Sequence, residues 1–290
     1  MAMEDFEKVS KKAKTLRIIK LTVIYTLLSF WAIMILFPFY WMIMTSFKSF
    51  MEYNNESVPY LLVRHWTFEN YGLAFTQVKL ARYMFNTVIY AVSTTAIMMI
   101  VTTLAAFAFA RLDFKGKDIV FTIFLAMMMI PTELVIITNY TTIVNTGLRN
   151  SYIGLILPSV LSIFYIYLLR QNFMQVPDNI YHAAKIDGTS DFGYLVKVLI
   201  PLSKPTMVSI VILKMIECWN SFVWPRLITT DEDYFLVSNA IEMIKNTGFG
   251  RDNIPAMMAA VVCISLPLLV AFLIFRNQIM TGVSRTGAKG

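Results

Sequence analysis

Six stretches of the chain are apolar and nearly free of charge, and polar segments separate them. They cover about residues 21–47, 83–110, 119–139, 151–169, 206–224 and 254–275. An α-helix needs about 20 apolar residues to cross roughly 30 Å of hydrocarbon, so each stretch is near or above spanning length. In lipid the backbone must satisfy its own hydrogen bonds, and a helix does so within one segment. The pattern therefore predicts an all-α integral membrane protein of six transmembrane helices. Pro38 is expected to kink the first span, and Pro131 with Glu133 interrupts the third. The second span carries Ser93, Thr94, Thr95, Thr102 and Thr103 among alanines, small and hydroxylated residues that favour close helix packing.

Composition agrees with this reading. Of 290 residues, 57% are hydrophobic and 15% charged, too apolar for a water-soluble domain of this size. The net charge of +7 is not a nucleic-acid signal, because no basic cluster is interleaved with aromatics. It follows the positive-inside bias instead: 16 basic residues lie on one proposed side and 8 on the other. Residues 1–20 and 276–290 are then cytoplasmic tails, and the segment 170–205 is a cytoplasmic loop. The first apolar run exceeds a signal-peptide core and lacks a small-residue cleavage pattern, so it is expected to be retained. Cys218 and Cys263 lie in apolar surroundings and form neither a disulfide framework nor a metal spacing.

The polar insert Asp178–Pro205 is the most patterned cytoplasmic segment. It reads as two short helices around Gly188, stopped by Pro201 and Pro205. Asp178 is placed as the N-cap of the first and Ser190 as a cap of the second. Ala183 and Ala184 leave room for another surface to approach, and Gly188 permits a turn that a Cβ would resist. On chemistry alone an ordinary connector remains open. The run Ala183-Ala184-Lys185-Ile186-Asp187-Gly188, with Ile200-Pro201-Leu202 and Pro205 downstream, resembles the EAA loop of bacterial ABC-importer permeases. Within that family the chain is most similar to carbohydrate permeases of the maltose-transporter type. The family usually has Glu first in the triplet, where this chain has His182, which offers no fixed negative charge.

The resemblance implies a type I ABC importer permease in the bacterial plasma membrane, with the loop as a coupling helix that docks on an ATPase. His182, Ala183, Ala184, Asp187 and Gly188 are the coupling positions it assigns. It also implies a second homologous permease, two ATP-binding-cassette ATPase subunits and an extracellular solute-binding protein. ATP and Mg would sit on the ATPase subunits, and this chain itself would bind no cofactor. It contains no G-x-x-x-x-G-K-[ST] phosphate loop.

Ionisable groups within spans cost roughly 2.5–3.5 kcal/mol each, so they face a cavity or a partner. Lys214 and Glu217 are three apart on the fifth span, and Asn220 and Trp224 continue that spacing. Two readings stay open: an ion pair buried between packed helices, or one wall of a hydrophilic translocation path. Trp219-Asn220-Ser221-Phe222-Val223-Trp224-Pro225 also resembles the permease family's W-N-x-F-x-W-P pattern. Glu133 either caps N–H groups freed by Pro131 or lines the path with Asn139. Gly248-Phe249-Gly250 reads as a turn. His65 and His182 are far apart in the topology, so no metal site is expected, and no catalytic cluster is apparent. The competing function class is an ion-coupled secondary transporter using Glu133 and Glu217, although no internal repeat accompanies them.

Overall fold

A computed structural model describes residues 2–56, 60–246 and 253–287. The Gly248–Gly250 turn lies outside the described residues. Among the described residues the chain is helical, with no strand. In order, the helices are α1 (Ala2–Ser46), α2 (Phe50–Asn55), α3 (Glu69–Gln77), α4 (Leu80–Arg111), α5 (Lys117–Met127) and α6 (Thr132–Asn145). Then come α7 (Tyr152–Ile156), α8 (Ile163–Met174), α9 (Asp178–Ile186), α10 (Asp191–Tyr194) and α11 (Ile200–Trp219). The last are α12 (Val223–Ile228), α13 (Val237–Asn246) and α14 (Ile254–Gly287).

Four of the expected spans are single long helices in which 32, 32, 29 and 23 residues qualify by length and composition: Thr15–Ser46, Leu80–Arg111, Asp191–Trp219 and Ile254–Arg276. The fourth expected span is a bent pair, Tyr152–Ser159 with Ile163–Met174, turned by 50°. Pro158 supplies the break: it sits in a 3-10 turn, and Ser162 caps the second half by accepting a bond from Tyr165 N at 3.5 Å. The third expected span, 119–139, is not one helix. Pro131 cannot continue the α5 ladder, and the chain breaks over Met128–Pro131 before α6 begins.

Boundaries differ most in the fifth span. Pro201 and Pro205 do not stop a helix; the rod runs from Asp191 to Trp219 with both prolines inside it. Leu195–Leu199 winds as a π turn, in which Ile200 N reaches back to Leu195 O. The wider turn opens the ladder just where Pro201 has no N–H to give. The tails differ too. The backbone of residues 2–20 is continuous with α1, and that of α14 continues to Gly287.

Helices α4, α8 and α11 form the centre, with α14 against α11 and α1 against α14. The core at one end gathers Met98, Phe107, Tyr165, Leu169, Phe173, Tyr194, Leu199 and Ile210. Thr94, Thr95, Thr102 and Thr103 are all buried on α4, as their small size suggested. By contrast the Thr15–Ser46 stretch is almost wholly uncovered, and Trp31 and Ile33 are exposed. Such a surface is stable only against lipid or another apolar helix.

The far end of the bundle carries an ordered cap where the sequence suggested loops. Asn86 Nδ2 donates to the carbonyls of Asp233 and Phe235, each at 2.9 Å, and Tyr152 OH donates to its Oδ1 at 2.7 Å. The acidic run is partnered: Glu232 meets Lys79 at 2.7 Å and Asp233 meets Arg82 at 3.1 Å. Lys48 is fully buried, and its ammonium donates to both Glu56 oxygens at 2.7 and 2.8 Å and to Tyr60 O at 2.8 Å. Removing one partner strands the other charge. Lys48→Met should therefore lower unfolding stability by about 3–5 kcal/mol. Lys48→Met with Glu56→Leu should cost less, as read by thermal unfolding in detergent.

Candidate functional site

The segment Asp178–Pro205 is built around Gly188, which takes φ +74°. Thr189 N donates to Ala184 O at 2.9 Å and Gly188 N to Lys185 O at 3.0 Å. These two bonds make a Schellman stop, which ends α9 with a left-handed residue that glycine adopts without a Cβ penalty. The space around it is open, so conformation and not packing selects the glycine. Ser190 then caps α10, as its position suggested, by accepting from Gly193 N at 3.1 Å. Asp178 is not the N-cap of α9. Pro177 holds that place, and Asp178 lies in the first turn with its carboxylate turned to Arg111.

The two helices divide into an inward and an outward side. Tyr194 is fully buried, and Tyr181 meets its ring edge-on at 4.9 Å. Ala184 is half-buried against the same cluster. His182, Ala183, Asp187 and Gly188 are exposed, and Ile186 is 86% exposed. A brace crosses the glycine turn: Asp191 Oδ1 accepts from Lys185 Nζ at 2.6 Å and from Tyr181 OH at 2.5 Å. The hydrogen bond to Asp191 holds the Lys185 ammonium above its ordinary pKa. The Lys185 bond likewise holds the Asp191 carboxyl below its ordinary value, so the brace persists through neutral pH and is lost as pH falls through the lowered Asp191 value or rises through the raised Lys185 value.

Arg111 was not singled out from the sequence, where it opens a basic turn. It is the last residue of α4, and its guanidinium is buried. It donates to the Asp178 carboxylate, to Val176 O and to Phe173 O, the last at 2.6 Å. A lone arginine closing a span is too common a pattern to reveal such a partner set.

The polar stripe of the fifth span is shorter than expected. Lys214 is buried, and its Nζ donates to Glu217 Oε1 at 2.8 Å. Tyr165 OH donates to Glu217 Oε2 at 3.4 Å. The Glu217 side chain remains 57% exposed, and Asn220 beyond it is exposed. Trp224 does not continue this face. The helix ends at Trp219, the chain turns at Asn220–Phe222, and Trp224 packs in the core with its indole N–H donating to Leu155 O at 3.1 Å. Glu133 lies in the first turn of α6 and is exposed, and it makes no cap bond at that helix start. Asn139 is half-buried on the same helix. The structure does not bring Glu133 or Asn139 into the Lys214–Glu217 group. Among the described residues no His, Cys, Asp and Glu gather as a metal site.

A membrane bundle with an exposed, glycine-stopped helix at one end and a polar stripe on a span has the parts of a transport component. The family model for the binding-protein-dependent transport system inner membrane component matches residues 102–284. The diacetylchitobiose uptake system permease protein NgcG of Streptomyces coelicolor is 31% identical over 90% of this chain and 86% of its own. The arabinooligosaccharides transport system permease protein AraQ of Bacillus subtilis is 27% identical over 94% and 96%. A solved bacterial ABC transporter involved in import of the acidic polysaccharide alginate superposes with a TM-score of 0.78. That match covers 88% of this chain and 94% of the other at 21% identity, a likeness of fold alone. The chain belongs to the binding-protein-dependent transport system inner membrane component family. It is a multi-pass permease subunit of an ABC importer and not an enzyme. Nothing favours the ion-coupled alternative.

One stability asymmetry follows from the stripe. Glu217→Ala leaves the buried Lys214 cation unpaired and should lower the unfolding temperature, by less than loss of a fully buried pair would because the carboxylate is half-open. Lys214→Met removes the buried charge itself and should cost clearly less, by the same thermal measurement.

Proposed function

We propose that this chain forms half of the translocation path of a sugar or oligosaccharide importer and is driven through α9 by separate ATPase subunits. The observation that carries the reading is the pairing of an exposed helix face with a long continuous helix. His182, Ala183, Ile186 and Asp187 stand outward on α9, and beyond Gly188 the chain continues unbroken from Asp191 to Trp219. A cleft closing on α9 would displace that rod, and with it Lys214, Glu217 and Asn220.

The partners are a second homologous permease, two ATPase subunits that hold ATP and Mg, and an extracellular solute-binding protein. Glu217 supports the second permease, since an exposed carboxylate on a span is costly unless a partner or a water-filled path covers it. Lys214, Glu217 and Asn220 line the path, with Glu133 and Asn139 as further members and Trp224 as their structural support. The sugar class rests on the uptake systems named for NgcG and AraQ. Both termini and the 170–205 segment lie in the cytoplasm, in keeping with the charge asymmetry. At the docking face His182 replaces an acidic contact with a hydrogen-bonding imidazole that carries no negative charge.

The test is reconstitution of the complex captured through this chain. ATP-dependent accumulation of neutral di- or oligosaccharide in proteoliposomes is expected, and Gly188→Pro should insert in the membrane yet abolish that accumulation. Proline's fixed negative φ cannot take the left-handed turn. Uptake by the chain alone on an ion gradient, or normal uptake by Gly188→Pro, would sink the proposal.

A further inference from the structure

Besides the short 175–177 link to α8 and the packing of Tyr181 and Ala184 on the core, displacing α9 can move the bundle by two routes. One is covalent, through Gly188 and the non-helical Ser190 into α10 and α11. The other is the contact at the opposite end of α9, where Arg111 joins three helices. Its Nη1 holds Asp178, the first residue of α9, and its Nη2 holds Phe173 O and Val176 O at the end of α8. The arginine itself terminates α4, so the same planar group ties α4 to both partners. Arg170 on α8 adds a parallel tie: its Nε donates to Phe109 O of α4 at 3.0 Å, and its guanidinium lies 4.0 Å from the centre of the Phe121 ring.

These two connections differ in kind: the glycine route is a turn braced by the bonds of Lys185 and Tyr181 to Asp191, and the arginine route is a polar tie from a buried guanidinium. The glycine route passes through a left-handed residue and an extended one before helix resumes. A guanidinium that donates in several directions from a buried site has a fixed planar geometry and no freedom to follow one partner alone. Burial also strengthens each charge-assisted bond and makes its loss costly. Asp178 is otherwise open to solvent, its side chain 80% exposed, so Arg111 is what holds its carboxylate.

We propose that Arg111 is a positioning residue of the coupling stroke, delivering displacement of α9 to α4 while the glycine route delivers it to α11. This rests on the reading of α9 as the driven element. The two spans then move together, and because α4 runs to the outer cap at Leu80, the stroke reaches that cap directly.

The test uses the complex with its ATPase subunits, captured through this chain in a Cys218→Ala, Cys263→Ala background. Spin labels at Ala81→Cys and Thr141→Cys report the outer end of α4, and labels at Phe222→Cys and Thr141→Cys report the end of α11; all three sites are exposed. Distances are measured without nucleotide and with MgATP plus vanadate. Without further substitution both pairs should shift on trapping. With Arg111→Gln the Ala81 shift should be lost and the Phe222 shift kept; Arg111→Lys, which keeps a cation opposite Asp178, should recover part of the Ala81 shift. An unchanged Ala81 shift, or loss of both shifts with ATPase still bound, overturns the proposal. Should Arg111→Gln fail to assemble, Asp178→Ala decides: a reduced Ala81 shift supports the proposal and an unchanged one contradicts it. If the unsubstituted chain captures no ATPase, the reading of α9 itself has failed, which is a separate outcome.

Discussion

One left-handed residue, Gly188, sets the angle between α9 and the long helix that follows it. Gly188 ends α9 with a double hydrogen-bond stop, and only after it does the chain enter the long rod of α10 and α11. Without that turn α9 would run on in line with the rod, and its outward face would have no fixed angle to the bundle. Most non-glycine residues reach this conformation only at a cost of roughly 1–2 kcal/mol. The Lys185–Asp191 pair and the Tyr181 bond brace the turn from one side, and the buried Tyr181–Tyr194 contact backs it. The result is a short helix that presents His182, Ala183 and Ile186 outward, with Asp187 at its end, while its inner side is held to the core.

The membrane imposes the rest. Charge inside a span must be paired or shared with water, and Lys214 and Glu217 do both at once: the ammonium is buried and the carboxylate half-open. Tyr165 from α8 reaches the same carboxylate, so the stripe belongs to two helices. At the end of the bundle away from α9, hydrogen bonds from Asn86 and ion pairs from Lys79 and Arg82 turn an acidic run into a cap. The polar stripe on α11 and the cap contact at Asn86 on α4 thus lie on two of the central helices.

Much of this was legible in the sequence because hydropathy and glycine placement are local signals. The spans at 21–47, 83–110 and 254–275 appear close to their expected limits, apart from helical tails that hydropathy does not mark. Ser190 was identifiable as a cap because its neighbour pattern is local. Three features were not. Pro201 and Pro205 read as stops because a proline breaks an ordinary α ladder, and nothing local announces the π turn that admits them. Trp224 sat at helical spacing from Lys214, but the helix ends at Trp219 and spacing carries no meaning across a break. Arg111 and Asp178 are 67 positions apart, and no single-sequence pattern pairs residues at that distance.

The central claim is that α9 is a contact surface for a nucleotide-driven partner. Its most direct measurement is site-directed cross-linking from Ala183→Cys in native membranes, with and without MgATP. The account predicts a single adduct to the ATPase subunit whose yield changes with nucleotide. Adducts to lipid alone, or to a protein with no response to nucleotide, would contradict it.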